Sequence, residues 1–463
     1  MDAIHERPEQ QKISLTDFSR HLAKLVSFPT ESESPSQAPA LRSYLKDALA
    51  PIFEAMGFEV SVYDNPKSAG GPILVATRIE DEAFPTILTY GHGDVVVGME
   101  GQWAEGRDPY VLEDAGDRYF GRGTADNKGQ HLLNILALQQ VLDEQDGKLG
   151  YNFKFLIETS EEIGSLGLRE FAKGNQALLA SDVLIASDGP RVANNVPTIC
   201  LGHRGVMNFS LEVSLRTEAH HSGSWGGFIA DPAVILAHAI ACISTKDGKL
   251  NVPEWRPKSL DPAMRKALEG CPFDPGDAAD TPDDNWGEPG LTLWEKNALW
   301  PSYTVLAIDH GDPSHPVNAV QHKAKALCGI RFPKSIDQDD ILPALQRHLD
   351  AHGLADVKVV HDDSTEDFLA TYLDPETEWV AWAAASIERS LGKPAQVLPS
   401  SGGSLPNDIF TDVLGLETLW IPHSYNSCCQ HAPDEHLLKP LVEEGLIMMA
   451  GIWRDLSTKA AQK

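Results

Sequence analysis

The chain has 463 residues, 42% of them hydrophobic, and a formal net charge of −29. Single cores stop growing at roughly 250–300 residues, so this length predicts two domains. The acidic surplus excludes a nucleic-acid partner, which needs a basic face, and disfavours docking on anionic lipid. It reads as solubilising surface charge. No stretch approaches the roughly 20 apolar residues of a membrane span, so no membrane partner is expected. The start MDAIHERPEQ is polar and carries no apolar run, so no signal peptide is expected. The six cysteines are scattered apart from Cys428 and Cys429, and they form no C-x2-C pair. That usage predicts free thiols in a reducing cytoplasm.

In chain order, residues 15–56 have helical periodicity, with Leu22, Leu25 and Val26 and then Leu41, Tyr44, Leu45, Leu49 and Phe53 on one face. Residues 73–79 and 86–90 are short β-rich runs that predict buried strands. GRGTADNKGQ leads into the apolar helix LLNILALQQVL, and FKFLIE and DVLIAS predict two more strands. Strand, loop and helix alternate, which predicts an α/β domain with a mostly parallel sheet. Near residue 203 the pattern changes. VMNFSLEVSL alternates as a half-exposed antiparallel strand does, and a helix follows with Asp231 as N-cap and Pro232 at its first position. Residues 251–300 read as an irregular insertion. Strands are predicted near 303–308 and 323–332 and helices at 340–351, 376–391 and 437–455, with the strand LETLWI at 416–421. The organisation predicted is a discontinuous catalytic domain (1–203 and 376–463) with an inserted α+β domain (204–375).

The chemistry-bearing residues sit at predicted strand ends or in the loops after them, where open α/β sheets form ligand sites. In TYGHGDVV, His92 follows a strand between two glycines expected to turn the backbone, and Asp94 is placed to accept its other ring N–H. A histidine in such a loop also reads as merely facing solvent. Asp126, in GRGTADNKG, has two oxygens that can bind separate ions, although alone it reads as an N-cap. Glu161 and Glu162 follow a strand in ETSEEIGS. Either they are solvated surface charge, or Glu162 binds metal while the free Glu161 takes a proton from metal-bound water. Asp188, in ASDGP, is a ligand or a turn-forming Asp-Gly. In QHAPDEH, His431 precedes a helix that His436 is expected to begin, and only His431 is taken as a ligand. Two ions sharing Asp126 would each have three protein ligands and room for water. Two divalent ions per subunit are therefore expected, Zn²⁺ first, with Mn²⁺ or Co²⁺ as alternatives.

With GHGDVV, GRGTADNKG, SEE, SDGP and QHAPDEH in this order, the chain resembles the M20 metallopeptidase family over essentially its whole length. HHSGSWGG (220–227) and SGGSLP (401–406) resemble motifs of its dipeptidase branch. The resemblance implies one ion on His92, Asp126 and Asp188, and a second on Asp126, Glu162 and His431. It implies Glu161 as general base, Asp94 as the group orienting His92, and a cis Asp126–Asn127 peptide. It implies that His221 stabilises the oxyanion in the partner subunit's site, His220 being the competing neighbour. Arg331 in GIRFP would grip a substrate carboxylate, Asn318 would lie near the oxyanion or carboxylate, and Gly403 and Ser404 would contact substrate. It also implies a homodimer formed through the inserted domain. The activity expected is two-metal hydrolysis of amide bonds in small peptides bearing a free carboxylate. The alternatives are an N-acyl-amino-acid amidohydrolase and an inactive metal-binding scaffold. No role attaches to Trp255, Trp286 and Trp294 beyond packing, with substrate specificity as the minority reading.

Overall fold

The computed structural model describes residues 14–274, 282–363 and 366–460. The segment MDAIHERPEQ lies outside them. Among the described residues no helix is long and apolar enough to cross a membrane.

Helix Leu15–Val26 is capped by the Ser14 side chain and buries Phe18, Leu22, Leu25 and Val26. Helical backbone resumes over Ala38–Ser43, Tyr44–Leu49 and Ala50–Ala55, burying Leu41, Tyr44, Leu45, Leu49 and Phe53. Both faces match the predicted periodicity.

An eight-stranded sheet forms the main body. Its order is Glu59–Tyr63, Ile73–Arg78, Asn152–Glu158, Thr86–His92, Val183–Ala186, Glu417–Trp420, Thr198–Cys200 and Gln396–Leu398. The centre is parallel, from Asn152–Glu158 to Glu417–Trp420, while the first two strands add antiparallel at one edge. Glu59–Tyr63, Thr198–Cys200 and Gln396–Leu398 were not predicted. The sheet carries core on both faces, because successive strand residues point to opposite sides. Ile87, Val183 and Ile185 pack toward helices Lys128–Glu144, Glu378–Leu391 and Lys439–Ala460. Leu88, Leu184 and Ala186 pack toward Leu168, Phe171 and Phe410. Lys128–Glu144 is buried almost all round, which explains a sequence with no polar face.

A four-stranded antiparallel sheet forms the second body, in the order Ser302–Asp309, Lys323–Phe332, Gly205–Ser214, Val357–His361. Helices Pro232–Ile243 and Ile341–Ala351 share a core with one of its faces. Asp231 caps the first of these through the Ala233 N–H at 2.9 Å, as predicted. The chain enters and leaves this body side by side, with Val206 bridging to Phe368 and the Thr371 N–H donating to the His203 carbonyl at 3.0 Å.

The insertion near 251–300 divides between the two bodies. Trp255 is fully buried in the smaller core and donates its indole N–H to the Ile341 carbonyl at 2.9 Å. Leu268, Ala298 and Leu299 pack into the core of the large sheet, with Trp294 against them. Trp286 is largely exposed. His436 does not begin a helix. It starts the short strand His436–Leu438, which pairs with Arg118–Phe120 before helix Lys439–Ala460 begins.

Candidate active site and metal centre

Three neighbouring parallel strands deliver the site. Register pairs His92 with Glu158, so the loop bearing Glu161 and Glu162 emerges beside His92, and Asp188 leaves the next strand two residues after Ala186. His92 ends a strand and does not sit in a turn. The flanking glycines keep ordinary backbone angles, contrary to the expected sharp turn. They are needed for close approach: a Cβ at Gly91 would lie 2.7 Å from His131 Cβ, and one at Gly93 would lie 2.4 Å from the Tyr44 ring.

The ligand candidates form two groups that meet at Asp126: His92, Asp126 and Asp188, and then Asp126, Glu162 and His431. His92 Nε2 lies 2.9 Å from Asp126 Oδ1 and 3.6 Å from Asp188 Oδ2. His431 Nε2 lies 3.2 Å from Asp126 Oδ2 and 3.1 Å from Glu162 Oε2. Each Asp126 oxygen thus faces a different histidine. The Asp126–Asn127 peptide is cis.

The electrostatics call for cations. Burial and the neighbouring carboxylates raise Glu162 to about 7 and Asp188 to about 6, and push Glu161 well above the usual range. Hydrogen bonds to Asp126 and Glu162 raise His431 to about 11. Asp188 Oδ2 is buried with no hydrogen-bond partner, an orphan acceptor beside a histidine. An acceptor-rich, N/O-only donor set around two histidines fits divalent ions. The chemistry of the residues and the orphan oxygen therefore agree.

Asp94 is fully buried and does more than its predicted task. His92 Nδ1 meets the Asp94 carbonyl at 3.1 Å, with the carboxylate at 3.4 Å. The carboxylate also accepts the backbone N–H groups of Glu161 and Glu162 at 3.2 and 3.1 Å. One side chain thereby sets the position of both glutamates relative to His92. Among the described residues no hydrogen bond or ion pair restrains the Glu161 carboxylate. Its charge is felt by Arg331, whose own ionisation is lowered by burial and supported by Glu161.

Arg331 Nη1 donates to Ser404 Oγ at 2.8 Å, and Ser404 donates to the Arg204 carbonyl at 2.7 Å. Gly403 is exposed, with open space where a Cβ would stand. His221 and Asn318 come together elsewhere. His221 pairs with Ala319 in a two-stranded ribbon, and the Ser222 N–H donates to the Asn318 carbonyl at 2.9 Å. Both residues are exposed, and the His221 ring meets Ser224 Oγ at 3.3 Å. The ring also lies so close over Gly223 that a Cβ there would sit 2.8 Å from it. His220 instead packs its ring on Trp225, with centroids 5.0 Å apart.

Two supporting residues were missed. Glu435, fully buried, accepts the N–H groups of Gly123, Ala125 and Asp126 at 2.9–3.0 Å and pairs with Arg122 at 2.9 Å. Asn127 donates to the Ser187 carbonyl at 2.8 Å, tying the Asp126 loop to the Asp188 loop. Glu435 lies inside QHAPDEH, between His431 and His436, whose metal-ligand chemistry is the stronger signal in that motif. Adjacency to the Asp126 signal was the only clue to Asn127.

The model of peptidase family M20/M25/M40 matches residues 88–455. A cysteinylglycine-S-conjugate dipeptidase from Corynebacterium striatum is 26% identical over 401 residues, 84% of this chain and 83% of that protein. The human β-Ala-His dipeptidase is 34% identical over 187 residues, 39% of this chain but 36% of that protein. Among solved structures, human carnosine dipeptidase 1 superposes with a TM-score of 0.78 at 21% identity, covering 96% of this chain and 97% of that one. The dipeptidase Dug1p from Saccharomyces cerevisiae gives 0.80 at 20%, covering 96% of each. At these identities the two structures establish the fold. With its family model matched over most of its length, the chain belongs to peptidase family M20/M25/M40.

Proposed function

We propose that the protein is a two-metal dipeptidase in which Glu161 is the general base. Membership of the family makes it a metal-dependent hydrolase of peptide bonds. The observation that carries the finer reading is the unrestrained Glu161 carboxylate, held beside two three-ligand groups by the Asp94 clasp and sensed by Arg331.

Ions held by His92, Asp126 and Asp188 and by Asp126, Glu162 and His431 would polarise the scissile carbonyl and acidify a water. The donor set favours Zn²⁺, with Mn²⁺ or Co²⁺ as alternatives. Glu161 takes the water proton on its carboxylate. Its desolvated surroundings suit that task, because a base with a raised pKa holds the proton better. As the tetrahedral intermediate collapses, Glu161 gives that proton to the leaving amine. Arg331, with Ser404 beside it, grips the substrate carboxylate, and Gly403 leaves room for it. His221, with Asn318 alongside, stabilises the developing oxyanion in the partner's site. The exposure of the His221–Asn318 ribbon supports a shared site, as do Leu306 and Ile308, apolar side chains 58% and 60% exposed on the edge strand of the smaller sheet. On this reading residues 204–375 are the lid and dimerisation domain, and 1–203 with 376–463 the catalytic domain. The paired crossing near 203–206 and 368–371 supports those limits. Six free cysteines support a cytoplasmic location.

The test is a metal-supplemented hydrolysis screen over dipeptides and N-acyl amino acids. Dipeptides should be cleaved with far higher kcat/KM. Preference for N-acyl amino acids would replace the dipeptidase reading with an amidohydrolase, and no turnover of either would remove it.

A further inference from the structure

A third group of ligating atoms lies in the smaller domain, outside the catalytic cluster. Cys242 is in the last turn of helix Pro232–Ile243. His348 is in the last turn of helix Ile341–Ala351, and His352 caps that helix. One ligand atom from each of the three lies within 4.8 Å of the others. We propose that Cys242, His348 and His352 form a separate site for a thiophilic divalent cation of the Zn²⁺ class, tying the two lid helices together.

Four features support it. The histidines are four residues apart, so they share one helical face, and their ring centroids are 4.3 Å apart. Each imidazole already has one nitrogen on a backbone carbonyl: His348 Nε2 donates to Cys242 O at 3.2 Å, and His352 Nδ1 donates to His348 O at 2.7 Å. Carbonyls only accept, so the protons sit on those nitrogens, leaving Nδ1 of His348 and Nε2 of His352 as free bases. Metal-binding histidines are oriented in this way, with the second nitrogen held by a carbonyl. Two helix C-termini also converge here, and each presents the negative end of its dipole to a cation. Finally, Cys242 and His348 are half-buried and His352 is exposed, so an ion can enter and keep water as a fourth ligand. Tetrahedral zinc with N and S ligands needs donor atoms about 3.5 Å apart, and one ligand atom of each residue already lies within 4.8 Å of the others. Binding replaces the Cys242 thiol proton, which leaves to solvent, with the metal–sulfur bond.

The inference is independent of the reaction proposed above. The test uses the full-length protein loaded with Co²⁺. The catalytic cluster offers only nitrogen and oxygen donors, so thiolate-to-cobalt charge-transfer absorption in the near ultraviolet reports this site alone. The wild type should show that absorption and retain one more Co²⁺ per chain than Cys242→Ser or His352→Gln. Both variants should hydrolyse peptide at the wild-type rate, which also demonstrates folding. Absence of the band from the wild type, its persistence in both variants, or equal metal content would overturn the site.

Discussion

Around Asp126 the loops that carry the site are held from several sides. Asp94 fixes His92, Glu161 and Glu162, Glu435 holds the loop that carries Asp126, and Asn127 fastens that loop to the one carrying Asp188. In the smaller body, His221 and Asn318 stand on a two-stranded ribbon, exposed and lightly restrained. The first region is preorganised within one chain, as electrostatic catalysis requires. The second is not held in that way. Arg331 stands between the two: it belongs to the four-stranded sheet, yet it contacts Ser404 and senses Glu161.

The largest effect should come from removing the hidden support. Glu435→Ala strips acceptors from three N–H groups and leaves Arg122 buried without its partner, a loss of about 3–5 kcal/mol. Denaturant unfolding should show that loss; a change under about 1 kcal/mol would mean the loop is held by something else. On the exposed ribbon, His221→Ala should leave stability and metal content unchanged while lowering kcat by about 10²–10³. Mixing it with a Glu161→Gln variant should restore part of the activity, and no recovery after proven subunit exchange would confine the site to one chain. A smaller effect is expected at the junction. Arg331→Lys keeps the charge but loses the fork, so kcat/KM for substrates with a free carboxylate should fall about 10–100-fold, or about 1.5–3 kcal/mol. Substrates amidated at that carboxylate should be nearly unaffected. Equal losses on both would take Arg331 out of carboxylate recognition.

The sequence was most legible where local chemistry and strand ends coincide. His92, Asp126, Glu162, Asp188 and His431 each follow a recognisable strand or motif, and folding brings them into the two expected groups. The helix Lys128–Glu144, buried almost all round, and the Asp231 cap were equally plain, because periodicity and capping are local. Of the strands missed in the large sheet, Thr198–Cys200 and Gln396–Leu398 are only three residues long and pair with each other across nearly 200 residues, whereas Glu59–Tyr63 pairs with the next strand in the chain. Gly91 and Gly93 misled for a related reason: a glycine signals a turn locally, whereas here it makes room for His131 and Tyr44. Glu435 could not be seen because its role is to accept three N–H groups some 310 residues away in sequence. The Cys242, His348 and His352 group escaped notice because two helices about 100 residues apart supply it.

In the proposed mechanism the adjacent glutamates have different tasks, Glu162 as ligand and Glu161 as base. Glu161→Gln isolates that claim, since it keeps the shape and removes the base. Metal content and dipeptide turnover should be measured on the same preparation. With Glu161 as base, metal content should stay at the wild-type level while kcat falls about 10²–10⁴-fold. Turnover close to wild type at full metal content would contradict it.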